Sequence, residues 1–188
     1  AANSEIHCIK VNYWYGDKPV SPAAWELSSS NQIDFDDIVE KLRQEFMSNA
    51  FDIYLIEGVG GLLAPITLKH TVASLGQEIG SKIIIVAQNQ VGVINHVLLT
   101  VEAAVSRSLS VGSVILMEQE KADSSAVHNA ELIRIHMSNT PCFKGIFKFP
   151  WLGEGADNPE LIIKNIKKAE CVLKEVFDVF INPIFLLI

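Results

Sequence analysis

Residues 51–61 read FDIYLIEGVGG: a short apolar run that ends on one acid, Glu57, and breaks into a glycine turn. Apolar residues at successive positions, without polar alternation, are the pattern of a strand covered on both faces, as in a parallel sheet. The same unit recurs downstream. KIIIVA (82–87) is a second such strand, VGSVILM (111–117) a third and CFKGIFKF (142–149) a fourth. Helical stretches separate them: Thr71–Ile79, VINHVLLTVEAAVSRS (93–108), Ser124–Met137, and a final helix from Pro159 to Phe177. Strands joined through helices of this length pair in parallel by right-handed crossovers, with helices on both faces. The expected fold is α/β: a single three-layer domain over residues 1–188 with a mainly parallel sheet.

Upstream, IHCIKVNYWYG (6–16) reads as extended chain, and SPAAWEL (21–27) opens a helix with Ser21 as N-cap and Pro22 at the first helical position. In DFDDIVEKLRQEFMSN (34–49), Phe35, Ile38, Val39, Leu42 and Phe46 share one helical face, while Asp34, Asp36 and Asp37 complement the positive end of the helix dipole. Half the residues are hydrophobic and the net charge is −7, from 15 basic and 22 acidic residues. That balance disfavours a nucleic-acid or anionic-membrane surface. Lys164, Lys167 and Lys168 read as a solvated helix face. Cys8, Cys142 and Cys171 are odd in number and widely spaced, which excludes a disulfide framework and points to buried thiols of a cytoplasmic protein. The apolar tail FDVFINPIFLLI (177–188) is shorter than a membrane span and is interrupted by Pro183, so it reads as a docked tail.

In open parallel sheets, ligands sit beyond the carboxyl ends of the strands. Four loops qualify. EGVGG (57–61) offers a carboxylate and backbone amides that glycine leaves accessible, which suits Mg²⁺ and phosphate; it serves equally as a plain glycine turn. QNQVGVINHVLLT (88–100) puts Gly92 at a helix mouth whose first amides, with the Asn95 side chain, suit a carboxylate or phosphate, while His96 reads as packing. MEQEKADSS (117–125) ends the third strand. FPWLGEGADNPE (149–160) sets an apolar Pro150-Trp151-Leu152 wall beside Glu154, Asn158 and Glu160, fit for a flat heterocycle or for core.

Taken together, PVSPAAW (19–25), IEGVGGLLAPI (56–66), VGVINHVLLT (91–100), GSVIL (112–116), FPWL (149–152) and NPE (158–160) resemble dethiobiotin synthetase in order and spacing, from about Asn12 to Phe177. The resemblance implies a homodimeric, Mg²⁺- and ATP-dependent enzyme of biotin synthesis that converts 7,8-diaminononanoate and CO₂ into a cyclic urea. It further implies that Glu57 holds the Mg²⁺ and that Gly58, Val59 and Gly60 line the phosphate side. Gly92, Val93 and Asn95 would hold the substrate carboxylate across the dimer interface, and Pro150, Trp151, Leu152 and Glu160 would border the nucleotide base.

Three family features are missing. No GxxxxGK[ST] loop occurs in these 188 residues, nor the second essential lysine, so no catalytic residue is assigned and the first βαβ unit is lacking. Leu116 and Met117 stand where the family reads adenine with an Asn-Asp pair. The expectation is a chain with negligible turnover on its own, with unpaired strand edges where the glycine-loop strand would lie, and poorly soluble or partly molten. The alternative is a non-catalytic relative that keeps substrate binding or dimer formation without the ATP cradle.

Overall fold

The computed structural model describes residues 20–28, 32–48, 53–58, 60–156 and 158–179, and the backbone of 184–187. The extended opening predicted over residues 6–16, Cys8 and Val59 lie outside the described residues. Element order is α1 (Pro22–Ser28), α2 (Phe35–Met47), β1 (Ile53–Ile56), α3 (Val72–Ile79), β2 (Lys82–Gln88), α4 (Val93–Val105), β3 (Ser110–Met117), α5 (Ala126–His136), β4 (Gly145–Phe149), a 3₁₀ turn (Pro159–Leu161), α6 (Ile162–Val179) and β5 (Ile184–Leu187).

Local chemistry sets the helix starts. The Ala24 amide donates to Ser21 Oγ at 3.2 Å. Asp34 caps α2, accepting from the amides of Asp36 and Asp37. Thr71 and Ser74 form a reciprocal capping box on α3, which ends on Gly80 at φ 64°. Glycine suits that last position because a left-handed φ costs it nothing.

All strand pairs are parallel, in the order β1-β5-β2-β3-β4. Strand alternation divides the core into two layers. Ile83 and Ile85 of β2, with Val114 and Leu116 of β3, pack beneath Val97 and Val101 of α4 and Ile133 of α5. Ile84, Ile115 and Phe147 face the other way, against Val172, Val176 and Val179 of α6. α2 lies on α3 through Phe35, Ile38, Val39, Leu75 and Ile79. The predicted α/β architecture, a parallel sheet between helices, is the observed one.

The largest departure is the tail. Residues 184–187 form a strand between β1 and β2, with Ile53–Ile56 paired to Ile184–Leu187 on one side and Lys82 and Ile83 paired to Leu186 and Leu187 on the other. The chain's own C-terminal segment therefore enters the sheet at the place where open edges were expected. β1, expected to be buried, is a half-covered edge strand on which Leu55 is 56% exposed. Cys142 and Cys171 are exposed free thiols, contrary to expectation. Cys142 sits in the turn before β4 at φ 64°, and the Cys171 thiol on α6 donates to Glu175 Oε1 at 3.6 Å. The final helix begins later than predicted, because residues 159–161 wind as 3₁₀. No helix among the described residues is long and apolar enough to cross a membrane.

Candidate functional site

Because every strand pair is parallel, the ends of β1, β2, β3 and β4 open onto one sheet edge. Glu57 follows β1 there as an exposed carboxylate, with Gly58 half-buried behind it. Gly60 and Gly61 turn the chain back at φ 81° and 128°, and a Cβ on Gly60 would stand 3.4 Å from Ala64 Cβ. The turn is held by the Ala64 amide on Gly61 O at 3.0 Å and the Ala73 amide on Leu62 O at 2.8 Å. Between this turn and β2 lies a cavity of about 140 Å³ lined by Gly61, Leu62, Val72, Ile83–Val86 and Thr100. It adjoins the part of β2 beyond Ile83, where the described pairs with β5 stop.

Two strand positions from β1, roughly 10 Å at ordinary strand spacing, α4 begins. Gly92 is its N-cap at φ 89°, a conformation that strains any residue with a Cβ. The Val93 amide donates to Gln90 O at 3.1 Å, and its side chain is 2% exposed in the core. The next two amides, of Ile94 and Asn95, have no backbone acceptor among the described residues, and the Asn95 side chain is exposed beside them. The groups open to an anion are thus the pair of amides after Val93, together with the exposed Asn95 side chain at the positive helix end.

A second pocket, about 220 Å³, lies at the ends of β2, β3 and β4. It brings Pro150, Trp151 and Leu152 together with Gln88, Met117, Glu118, Gln119 and Ala156. α6 braces the outer loop: Lys168 Nζ donates to Leu152 O at 2.9 Å, and Asn165 Nδ2 to Ala156 O at 3.1 Å. Glu160 takes part in the 3₁₀ turn, its amide on Asn158 Oδ1 at 3.0 Å, and is not among the lining residues.

A buried polar network ties these loops together. Asn89, 1% exposed, donates from Nδ2 to Glu118 Oε1 (3.0 Å) and Ala126 O (3.2 Å), and accepts at Oδ1 from Asn129 Nδ2 at 2.8 Å. The Val91 amide donates to Asp123 Oδ2 at 2.7 Å, and the Glu118 amide to Phe149 O at 2.8 Å. Reading the sequence as strand-end loops pointed to the segments holding Gln88, Asn89, Glu118 and Gln119. Asn129, in the first turns of α5, carries no local signal, since only the fold brings it to β2.

Hydrogen bonds from Ser125 and from the Val91 amide hold the Asp123 carboxyl below the usual aspartate range. A group lowered in the folded state stabilises it fully above its ordinary pKa, and that contribution fades as pH falls through the lowered value. Asp123→Asn is therefore expected to destabilise the protein at pH 7, with the gap to the parent closing toward pH 3. Urea unfolding at both pH values checks it; a constant gap would show that the carboxylate charge is irrelevant.

Among the described residues no group of three or more His, Cys, Asp or Glu side chains converges to hold a metal ion. Glu57 stands alone, which fits Mg²⁺ only in its common role of one carboxylate ligand completed by substrate phosphates and water.

Comparison with known proteins adds the following. A family model described as an AAA domain matches residues 2–154. The chain is similar to the ATP-dependent dethiobiotin synthetase BioD of Acidiphilium cryptum (strain JF-5), with 31% identity over 147 residues, 76% of this chain and 66% of that protein. It is similar to the protein of the same name from Anaeromyxobacter sp. (strain Fw109-5), with 34% identity over 119 residues, 62% of this chain and 52% of that protein. The corresponding Chlorobaculum tepidum protein is 32% identical over 112 residues, 59% and 46% of the two chains. The chain thus spans between about half and two thirds of the length of these curated relatives.

Proposed function

We propose, for a chain that belongs to the AAA domain family, that its task is the ATP-dependent closure of 7,8-diaminononanoate and CO₂ to dethiobiotin. The observation that carries this reading is convergence. The acidic glycine turn, the open helix mouth and the apolar base-sized pocket all lie on the one edge where a parallel sheet binds ligands. The relatives' names support the chemistry, and the convergence of these features supports the site.

In that chemistry one amine takes up CO₂ as a carbamate, ATP phosphorylates the carbamate, and the second amine displaces phosphate to close the ring. Dethiobiotin, ADP and phosphate result. Mg²⁺, held by Glu57 and the phosphates, would neutralise charge on the transferring group. The chain's part is positioning. Gly58 and Gly60 would present backbone to the phosphates, with Val59 between them in the sequence. The Ile94 and Asn95 amides, with the Asn95 side chain next to Gly92 and Val93, receive the substrate carboxylate. Pro150, Trp151 and Leu152 cover the base, and Glu160 lies at the rim of that loop.

We read the active form as a homodimer. Val91 and Val127 are 76% and 69% exposed beside the helix mouth, with Leu99 exposed on the same helix, so a second copy would cover apolar surface at the substrate site. A second reading, a binding module without turnover, is favoured by β5 in the sheet.

Titration calorimetry with 7,8-diaminononanoate and, separately, Mg·ATP separates the two. Both ligands are expected to bind. Asn95→Ala is expected to weaken the diamino acid about ten- to a hundredfold, the size of a hydrogen bond to a charged group, leaving ATP unchanged. Absence of diaminononanoate binding would overturn both readings; its binding without ATP would favour the module.

A further inference from the structure

We propose that Asn129 of α5 is a positioning residue for the substrate carboxylate, acting through the backbone carbonyl of Gln90 to set the direction of the free amides at the mouth of α4. The inference rests on the reading above that this mouth receives the carboxylate. Asn129 is 2% exposed, so whatever it does for a ligand it does through its own partners.

Between the end of β2 at Gln88 and the N-cap Gly92 stand three residues, Asn89, Gln90 and Val91. Each is held from outside the segment. The Asn89 amide donates to Met117 O at 2.9 Å, and Gln90 Oε1 accepts from Gln119 Nε2 at 2.9 Å. The Val91 amide donates to Asp123 Oδ2 at 2.7 Å. Asn129 Nδ2 supplies the remaining ties, donating to Asn89 Oδ1 at 2.8 Å and to Gln90 O at 3.3 Å, with Ser125 Oγ also at 3.3 Å.

Gln90 O links this network to the helix. It accepts the Val93 amide at 3.1 Å, the bond that closes the first turn of α4 and takes Val93 out of a ligand's reach. Among the described residues Asn129 is the one side chain that donates to that carbonyl. Holding it fixes where the turn starts, and so where the next two amides, of Ile94 and Asn95, point. Hydrogen bonds weaken steeply as their angle closes. A small rotation of the turn therefore costs affinity while every group that meets the carboxylate is still present. Removing the Asn129 amide also leaves Asn89 Oδ1 without that donor, on a residue 1% exposed, and frees the loop at two points.

The test is calorimetric titration of the full chain, Asn129→Ala, Asn129→Ser and Asn95→Ala with 7,8-diaminononanoate and with its methyl ester, which lacks the anionic charge. The parent is expected to bind the acid about tenfold or more tightly than the ester, the worth of hydrogen bonds to a charged group. Asn129→Ala should weaken the acid roughly five- to tenfold and the ester by less than about twofold, the same selective pattern as Asn95→Ala. Asn129→Ser keeps one hydroxyl donor, so it supplies the comparison even if the alanine variant folds poorly, and its loss should fall between parent and alanine. A merely structural role would weaken acid and ester alike, and that result would overturn the inference. So would an unchanged acid-to-ester ratio in both Asn129 variants while Asn95→Ala lowers it, which leaves the carboxylate site standing without Asn129. Equal binding of acid and ester by the parent would remove the α4 mouth as the carboxylate site, and binding of neither would remove the functional reading; each takes this inference with it.

Discussion

Leu186→Pro is expected to cost about 3 kcal/mol or more and to lower the melting temperature by roughly 6–12 °C for a domain of this size. Leu186 is paired with Leu55 of β1 on one side and with Lys82 of β2 on the other. A proline there removes a ladder N–H and drives its ring into a neighbouring strand, so it is tolerated at sheet edges and not between two strands. The damage should also be local in a recognisable way. β1 reaches the rest of the sheet through β5, so amide exchange in Tyr54–Ile56 should accelerate before exchange in β3. A melting temperature within about 2 °C of the parent, with protection of β1 unchanged, would show that the C-terminal segment does not fill the sheet.

Leu116→Ala should be of similar size, about 2–5 kcal/mol, the usual range for emptying a fully buried leucine site. Leu116 has no exposed surface and lies on β3, inside the layer between the sheet and helices α4 and α5. Neighbours on rigid strands and helices cannot collapse fully into the space, so part of the cost is a residual cavity. The comparison variant is Met47→Ala, at the last residue of α2 and 79% exposed, which should stay within about 0.5 kcal/mol of the parent. Equal losses in the two variants would place Leu116 outside the core.

The proposed dethiobiotin-forming site shows what local residues reveal and where they stop. Asp34 capping α2, the Thr71–Ser74 box and Gly92 at the mouth of α4 are interactions among residues close in the chain, and each is legible from residue type. Pro150, Trp151 and Leu152 were legible as an apolar strand-end wall, and the structure adds Gln88, Met117, Glu118 and Gln119 opposite them. Glu160 enters the group through the family resemblance and is not among the residues lining the pocket. Val93 enters the group through the family resemblance; in the structure its amide donates to Gln90 O and its side chain lies in the core.

The sequence by itself determined strands β1 to β4 and the helices around them, that these strands run parallel, and that their strand-end loops share an edge. Those properties follow from periodicity, capping and connection length, all short-range. Only the tertiary structure decided which strands are neighbours. A four-residue apolar tail carries no mark of the gap between β1 and β2 that it enters, because ladder hydrogen bonds are made by backbone groups common to every residue. Nor could residue order show that Asn129 would meet Asn89 and so orient Glu118 over a pocket. That contact spans 40 positions and exists only once β2, β3 and α5 have packed.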